Sequence, residues 1–152
     1  MKKETLNDGT EVPVKYYHIR HAFSVEPSSI SVRALASTRT IKAAGAVPEP
    51  KGGVTLASLE LPNGDVVFGM SKCSRLDNFS RARGRQIATG RAKMRVELVK
   101  TGCHPTPGSS LDRFSMTVSK EQVPDVLDLM RMRDEDAAMS LQLGQLAKQL
   151  GL

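Results

Sequence analysis

Between Lys72 and Arg95 the sequence reads KCSRLDNFSRARGRQIATGRAKMR, which places eight basic residues beside a single acid, Asp77. The whole chain of 152 residues holds 22 basic and 16 acidic residues and a net charge of +6, so outside this stretch acids slightly outnumber bases. The basicity belongs to one segment. Guanidinium and ammonium groups at this density neutralise phosphates and release condensed counterions, the chemistry of salt-dependent nucleic-acid binding. The candidate contacts are Arg75, Arg81, Arg85, Arg91, Lys93 and Arg95. The same face could instead engage an acidic protein surface, or pair with the acids Asp125, Asp128, Asp134, Glu135 and Asp136 near the C-terminus. Base-specific readout has little to draw on, with only Asn78 and Gln86 among the arginines. Stacking platforms are limited to Tyr16, Tyr17 and Phe23.

Other chemistries find less support. Cys73, Cys103, His18, His21 and His104 lack zinc-site spacing: there is no C-x-x-C pair, and His18 and His21 on one strand point to opposite faces. Cys103 and His104 are adjacent, unlike a thiolate and the base that activates it. No phosphate-binding glycine loop, no G-x-S-x-G and no paired carboxylates occur. The reading is therefore non-enzymatic, with no catalytic residue, no metal and no cofactor.

The elements that must position the basic segment follow from periodicity. Val12–Phe23 alternates as a strand, with Tyr16, His18 and Arg20 on one side and Tyr17, Ile19 and His21 on the other. A second strand is expected over Ser28–Ala36, then a mobile loop over 37–53, where Gly and Pro recur. Residues 54–71 predict a hairpin turning on Asn63-Gly64 in a type I′ turn. That register pairs Leu61 with Val66, Leu59 with Phe68 and Ala57 with Met70, giving one apolar face. Ser74 as N-cap and Asp77 three residues later predict a helix over 75–95. On its wheel Leu76, Phe79, Ile87 and Met94 form the stripe facing the hairpin, Arg83 projects the same way, and Arg81, Arg85 and Arg95 face outward with Ala88 and Ala92 between them. Gly84 and Gly90 mark a close backbone approach or, at Gly90, a helix end. A short strand is expected within 113–119. Ser119, Gln122 and Pro124 start a C-terminal helical segment, 119–152, interrupted by the charged run RMRDED. Its Leu/Met positions suit docking on the 1–118 domain or a homodimer. The fold class is α+β: a small, mostly antiparallel sheet, the basic helix on the hairpin, and the C-terminal helices.

No apolar run approaches the length of a membrane span, the N-terminal MKKETLNDGTEVP has no signal-peptide core, and two cysteines build no disulfide framework. A cytoplasmic setting is expected. Residues 64–92 carry Cys73-Ser74, then Asp77-x-Phe79-Ser80-Arg81, then Gly84-Arg85-x-Ile87-Ala88-x-Gly90-Arg91. This resembles a segment of short phage and prophage proteins. The resemblance covers the hairpin and basic helix only, and implies a mobile-element origin, a bacterial host cell and a small accessory role, without assigning an activity.

Overall fold

The computed structural model describes residues 2–23, 33–37, 47–48, 51–131 and 143–151. The fold is α+β. Among the described residues seven antiparallel strands form the sheet: β1 (Lys3–Thr5), β2 (Glu11–Phe23), β3 (Arg33–Ser37), β4 (Val47–Pro48), β5 (Lys51–Glu60), β6 (Asp65–Asn78) and β7 (Ser115–Ser119). The main order is β1-β2-β5-β6-β7, with β3 and β4 paired to the far end of β2. The helices are α1 (Arg81–Lys100), α2 (Ser110–Phe114), α3 (Val123–Arg131) and α4 (Leu143–Gln149), with a 3-10 turn at Lys120–Gln122. The expected strand over Ser28–Ala36 is described from Arg33, its earlier part lying outside the described residues. The loop expected over 37–53 contains β4 and, from Lys51, the start of β5; residues 38–46 and 49–50 lie outside the described residues.

The β5–β6 hairpin forms in a register one residue away from the type I′ expectation. Glu60 pairs with Val66, Leu59 with Val67, Ser58 with Phe68 and Leu56 with Met70. The cause is in the turn. Gly64 N donates to Leu61 O at 3.0 Å, and Gly64 alone of the turn residues has positive φ, at +91°. Pro62 and Asn63 thus occupy the centre of a type I turn, where proline's fixed φ is favoured, and Gly64 supplies the left-handed residue that follows in three-residue hairpin loops. Asn63 Oδ1 accepts from Asp65 N at 2.9 Å and fixes the turn further. A type I′ turn would have required positive φ at Asn63.

The shift distributes apolar residues to both faces of the sheet, and each face is covered. Val54, Leu56, Val66, Phe68 and Met70 join Ile19, Met116 and Val118 in one core, closed by Val126 and Met130 of α3 and Leu143 and Leu146 of α4. The C-terminal helices therefore dock on the domain and share its core. On the other face Leu59, Val67, Val12, Val14 and Leu6 pack against Ala92 and Val96 of α1. The basic helix lies on the face opposite Phe68 and Met70, not over them. At the start of the C-terminal helices, Gln122 Oε1 accepts from Ser119 N at 3.1 Å, as the capping pattern predicts.

The helix expected over 75–95 runs instead from Arg81 to Lys100. Residues 75–78 belong to β6, whose Cys73 pairs with Gly53 and whose Asn78 pairs with Lys51. The sheet supplies their hydrogen-bond partners, and this tertiary pairing outweighs the weak local preference of a Ser74 cap. Ser80 is the N-cap: its side chain accepts from Arg83 N at 3.3 Å. Between the Cys73–Gly53 and Asn78–Lys51 pairs, residues 74–77 face the single Gly52, an irregular bulge in the β6 register.

The seat of α1 uses small residues. Gly84, Ala88, Thr89, Ala92 and Val96 are its buried positions. A Cβ on Gly69 would lie 2.0 Å from Ala88 O and 2.6 Å from Ala92 N; one on Gly84 would lie 2.4 Å from Thr55 Oγ1. Helix and sheet backbones meet at these two glycines, closer than large side chains allow. Met94, expected to face the sheet, is 59% exposed, and Ala88 and Ala92, expected to face outward, are fully buried. Gly90 faces open space within the helix and neither ends it nor contacts the sheet.

Candidate nucleic-acid interface

The first turns of α1 meet the middle of β2 at the edge of the small-residue seat. Alternation along β2 puts Tyr16, His18 and Arg20 on the α1 side. His18 Nδ1 lies 3.3 Å from Thr55 Oγ1, and the His18 ring meets Phe79 edge-on, with centroids 5.8 Å apart and planes at 84°. The Arg20 guanidinium sits 4.8 Å from the Phe79 ring centroid. Tyr16 OH is 3.0 Å from Thr89 Oγ1, while Arg85 and Lys2 approach the Tyr16 ring at 5.8 and 5.6 Å. Phe79, expected on the helix, thus holds the strand-to-helix connection against β2.

Electrostatics identify this as a cationic centre. His18 is held down at about pKa 4, first by burial and then by Arg81, Arg85, Arg20 and Lys2. Those four cations act on one imidazole, and no acid is among its perturbing groups. The first turn of α1 carries no acid either. Helices favour acids there because the unsatisfied N–H groups make that end positive, so Arg81 and Arg83 add charge where the helix itself is already positive. Arg81, Arg83 and Arg85 form no ion pair among the described residues.

The second half of the helix differs. Arg91 Nη1 donates to Met70 O at 2.7 Å, and its guanidinium lies 4.5 Å from the Phe114 centroid. Burial, then neighbouring Arg113, lowers the Arg91 pKa. Lys93 Nζ is 2.9 Å from Glu4 Oε2. Arg95 Nε donates to Thr117 Oγ1 at 3.3 Å, and burial lowers its pKa while Asp112 acts in the opposite sense. Lys100 Nζ reaches Asp8 Oδ2 at 2.6 Å, a contact that raises the Lys100 pKa and lowers that of Asp8. Of the expected contacts, the structure brings Arg81 and Arg85 together at the cationic centre, commits Arg91, Lys93 and Arg95 to partners within the chain, and puts Arg75 in the β6 bulge. Arg83, expected towards the sheet, is exposed. Lys2, His18 and Arg20 were absent from the expected set, although the strand alternation already placed His18 and Arg20 on one face with Tyr16.

Beside this centre, the β6 bulge and the start of α1 enclose a cavity of about 400 Å³, with Ser71, Asp77, Asn78, Phe79, Arg83 and Ile87 on its walls. The Cys73 thiol lies 3.4 Å from Asp77 O, 3.5 Å from Asn78 O and 3.6 Å from Ser74 O, and so ties the bulge together with weak S–H···O contacts. Cys73 and Cys103 are free thiols. Among the described residues no three His, Cys, Asp or Glu side chains converge as a metal site would require, and no helix is long and apolar enough to cross a membrane. No family model, curated protein or solved structure matches this chain.

Proposed function

We propose that this protein binds nucleic acid, without catalysing a reaction, through phosphate contacts made by Arg81, Arg83 and Arg85 together with Lys2. The observation that carries this reading is the division of labour along α1. The cations of its second half have partners within the chain, whereas Arg81, Arg83 and Arg85 at its positive end form no ion pair among the described residues. Like charges gathered on one surface repel one another, and a polyanion relieves that repulsion as it binds. The phage-type accessory setting rests on the resemblance of residues 64–92 and belongs to the same proposal.

The test is equilibrium binding of labelled oligonucleotides across a salt series. Four phosphate contacts give a log K against log salt slope of roughly −3 to −4. Reversing Arg81→Glu with Arg85→Glu abolishes binding while circular dichroism and the urea midpoint stay near those of the parent. Undiminished binding by that double variant would overturn the proposal.

A second reading, engagement of an acidic protein of the host through the same basic helix, draws on apolar surface further along that helix. Among the described residues Met94 and Val99 are the exposed large hydrophobic residues, 59% and 43% exposed. Capture from host lysate before and after nuclease treatment separates the two: a partner that survives nuclease and is lost with Arg81→Glu/Arg85→Glu supports the protein reading.

A further inference from the structure

α1 has small residues on one side and larger apolar ones on the other. Gly84, Ala88, Ala92 and Val96 face the sheet. At about 3.6 residues per turn, Gly90 and Met94 project from the opposite side, with Leu98 beside them. Met94 is largely exposed, and nothing lies within 4 Å of where a Cβ on Gly90 would stand. With Leu111 these residues line a shallow groove of about 660 Å³. Lys93 and Glu97, one turn apart, line the same groove. The C-terminal helices lie elsewhere: Val126, Met130, Leu143 and Leu146 close the core on the far face of the sheet.

A patch that binds a second copy of itself must be its own complement. This one is. Gly90 is a recess, and Met94 and Leu98, one and two turns on, are projections. Lys93 and Glu97 carry opposite charges along one edge of the same stripe. The charge at the helix ends sets the direction of pairing. A parallel pair would bring two positive helix N-termini side by side, each with Arg81, Arg83 and Arg85. An antiparallel pair separates them. With a twofold axis level with Arg95, Leu98 falls between the partner's Gly90 and the partner's Met94, and Lys93 falls opposite the partner's Glu97, once on each side of the axis. We infer that this face of α1 binds a second copy of the chain, antiparallel, in a symmetric dimer. Lys93 and Glu97 already have neighbours within the chain, Glu4 at 2.9 Å and Lys100 at 3.7 Å, and stay partly exposed, so they set the register more than the affinity. A contact of about three helical turns buries less than the roughly 800 Å² per partner of a standard interface, and the dimer is correspondingly weak. Arg81 and Arg85 lie outside the contact, so the dimer does not depend on the phosphate-binding reading. A copy seated here covers Met94, and so removes apolar surface on which the acidic-protein reading draws.

Sedimentation equilibrium of the full chain, from micromolar to millimolar concentration, tests this. The mass is expected to rise from that of one chain towards that of two. Met94→Glu sets two carboxylates beside the axis, and Gly90→Gln fills the recess. Each is expected to raise the dissociation constant roughly tenfold or more. Both positions are exposed, so circular dichroism is expected to match the parent. Lys93→Glu and Glu97→Lys are each expected to weaken the dimer, because like charges then face each other across it. An equimolar mixture of these two variants restores it, since in the mixed pair every carboxylate again faces an ammonium. A role confined to one chain gives no such rescue. A single-chain mass at every concentration, or a dimer that Met94→Glu and Gly90→Gln leave intact, would overturn the proposal. Two weakened variants that do not rescue each other would overturn the antiparallel register. Arg81→Glu/Arg85→Glu is expected to dimerise like the parent while losing nucleic-acid binding, so the two proposals fail separately.

Discussion

The two halves of α1 are similarly rich in cations, and those cations meet different surroundings. Arg81, Arg83 and Arg85 occupy the first two turns; Arg91, Lys93, Arg95 and Lys100 follow within the same helix. In the second half each cation meets an acceptor: a strand carbonyl beside an aromatic ring, a glutamate of β1, a hydroxyl of β7, an aspartate in the β1–β2 turn. In the first half the neighbours across the seat are the further cations Lys2 and Arg20 and the His18 imidazole, which burial and the surrounding cations keep neutral. Charge along a helix therefore says little about its use until the opposite surface is known. A guanidinium over a carbonyl and a ring holds the fold, and one set beside other cations adds to the local positive charge.

The largest effect on stability is expected where the two halves share their seat. Gly69→Val places side-chain atoms into the backbone of α1 at Ala88 and Ala92, and lowers stability in urea by at least about 3 kcal/mol. A urea midpoint near that of the parent would show that helix and sheet are not as closely seated as described. Next is Arg91→Ala, which leaves Met70 O without its donor and uncovers Phe114; a loss of about 1–3 kcal/mol is expected, with the salt slope of nucleic-acid binding unchanged. Arg83→Ala is the counterpart. Its stability stays within about 0.5 kcal/mol of the parent, while the salt slope falls by nearly one. Reversal of these two outcomes would break the distinction between the halves.

The two glycines of the helix sharpen it further. Gly84→Ala is destabilising because its Cβ meets Thr55, whereas Gly90→Ala, with open space around it, stabilises by about 0.5–1 kcal/mol. The last test is electrostatic. With a folded pKa of about 4 against 6.5, His18 binds fewer protons in the folded state than in the unfolded chain. Its contribution to stability is full above about pH 6.5 and is lost as pH falls through about 4. In an NMR titration, Arg81→Gln and bound oligonucleotide are each expected to raise the His18 pKa, the first by removing a cation and the second by neutralising several. A His18 pKa unmoved by either would separate His18 from the cationic centre.

The sequence by itself determined the α+β class, the long strand β2, the hairpin's location, the capping of the C-terminal helices and the concentration of charge. Each of these depends on periodicity, turn residues or composition, which are local. It also put Tyr16, His18 and Arg20 on one face of a strand, half of the eventual cationic centre. The tertiary structure decided the rest. Pro62 shifted the hairpin register by one and so sent apolar residues to both faces of the sheet, which required two covers instead of one. The wheel drawn through Phe79, Ile87 and Met94 selected the wrong face of the helix because it weighted size. Close packing on Gly69 and Thr55 selects smallness instead, at Gly84, Ala88 and Ala92. Which arginines are spoken for was likewise unreadable in one dimension. Met70 O, Thr117 and Glu4 lie 21, 22 and 89 positions from the cations they engage, and only folding brings them within hydrogen-bond reach.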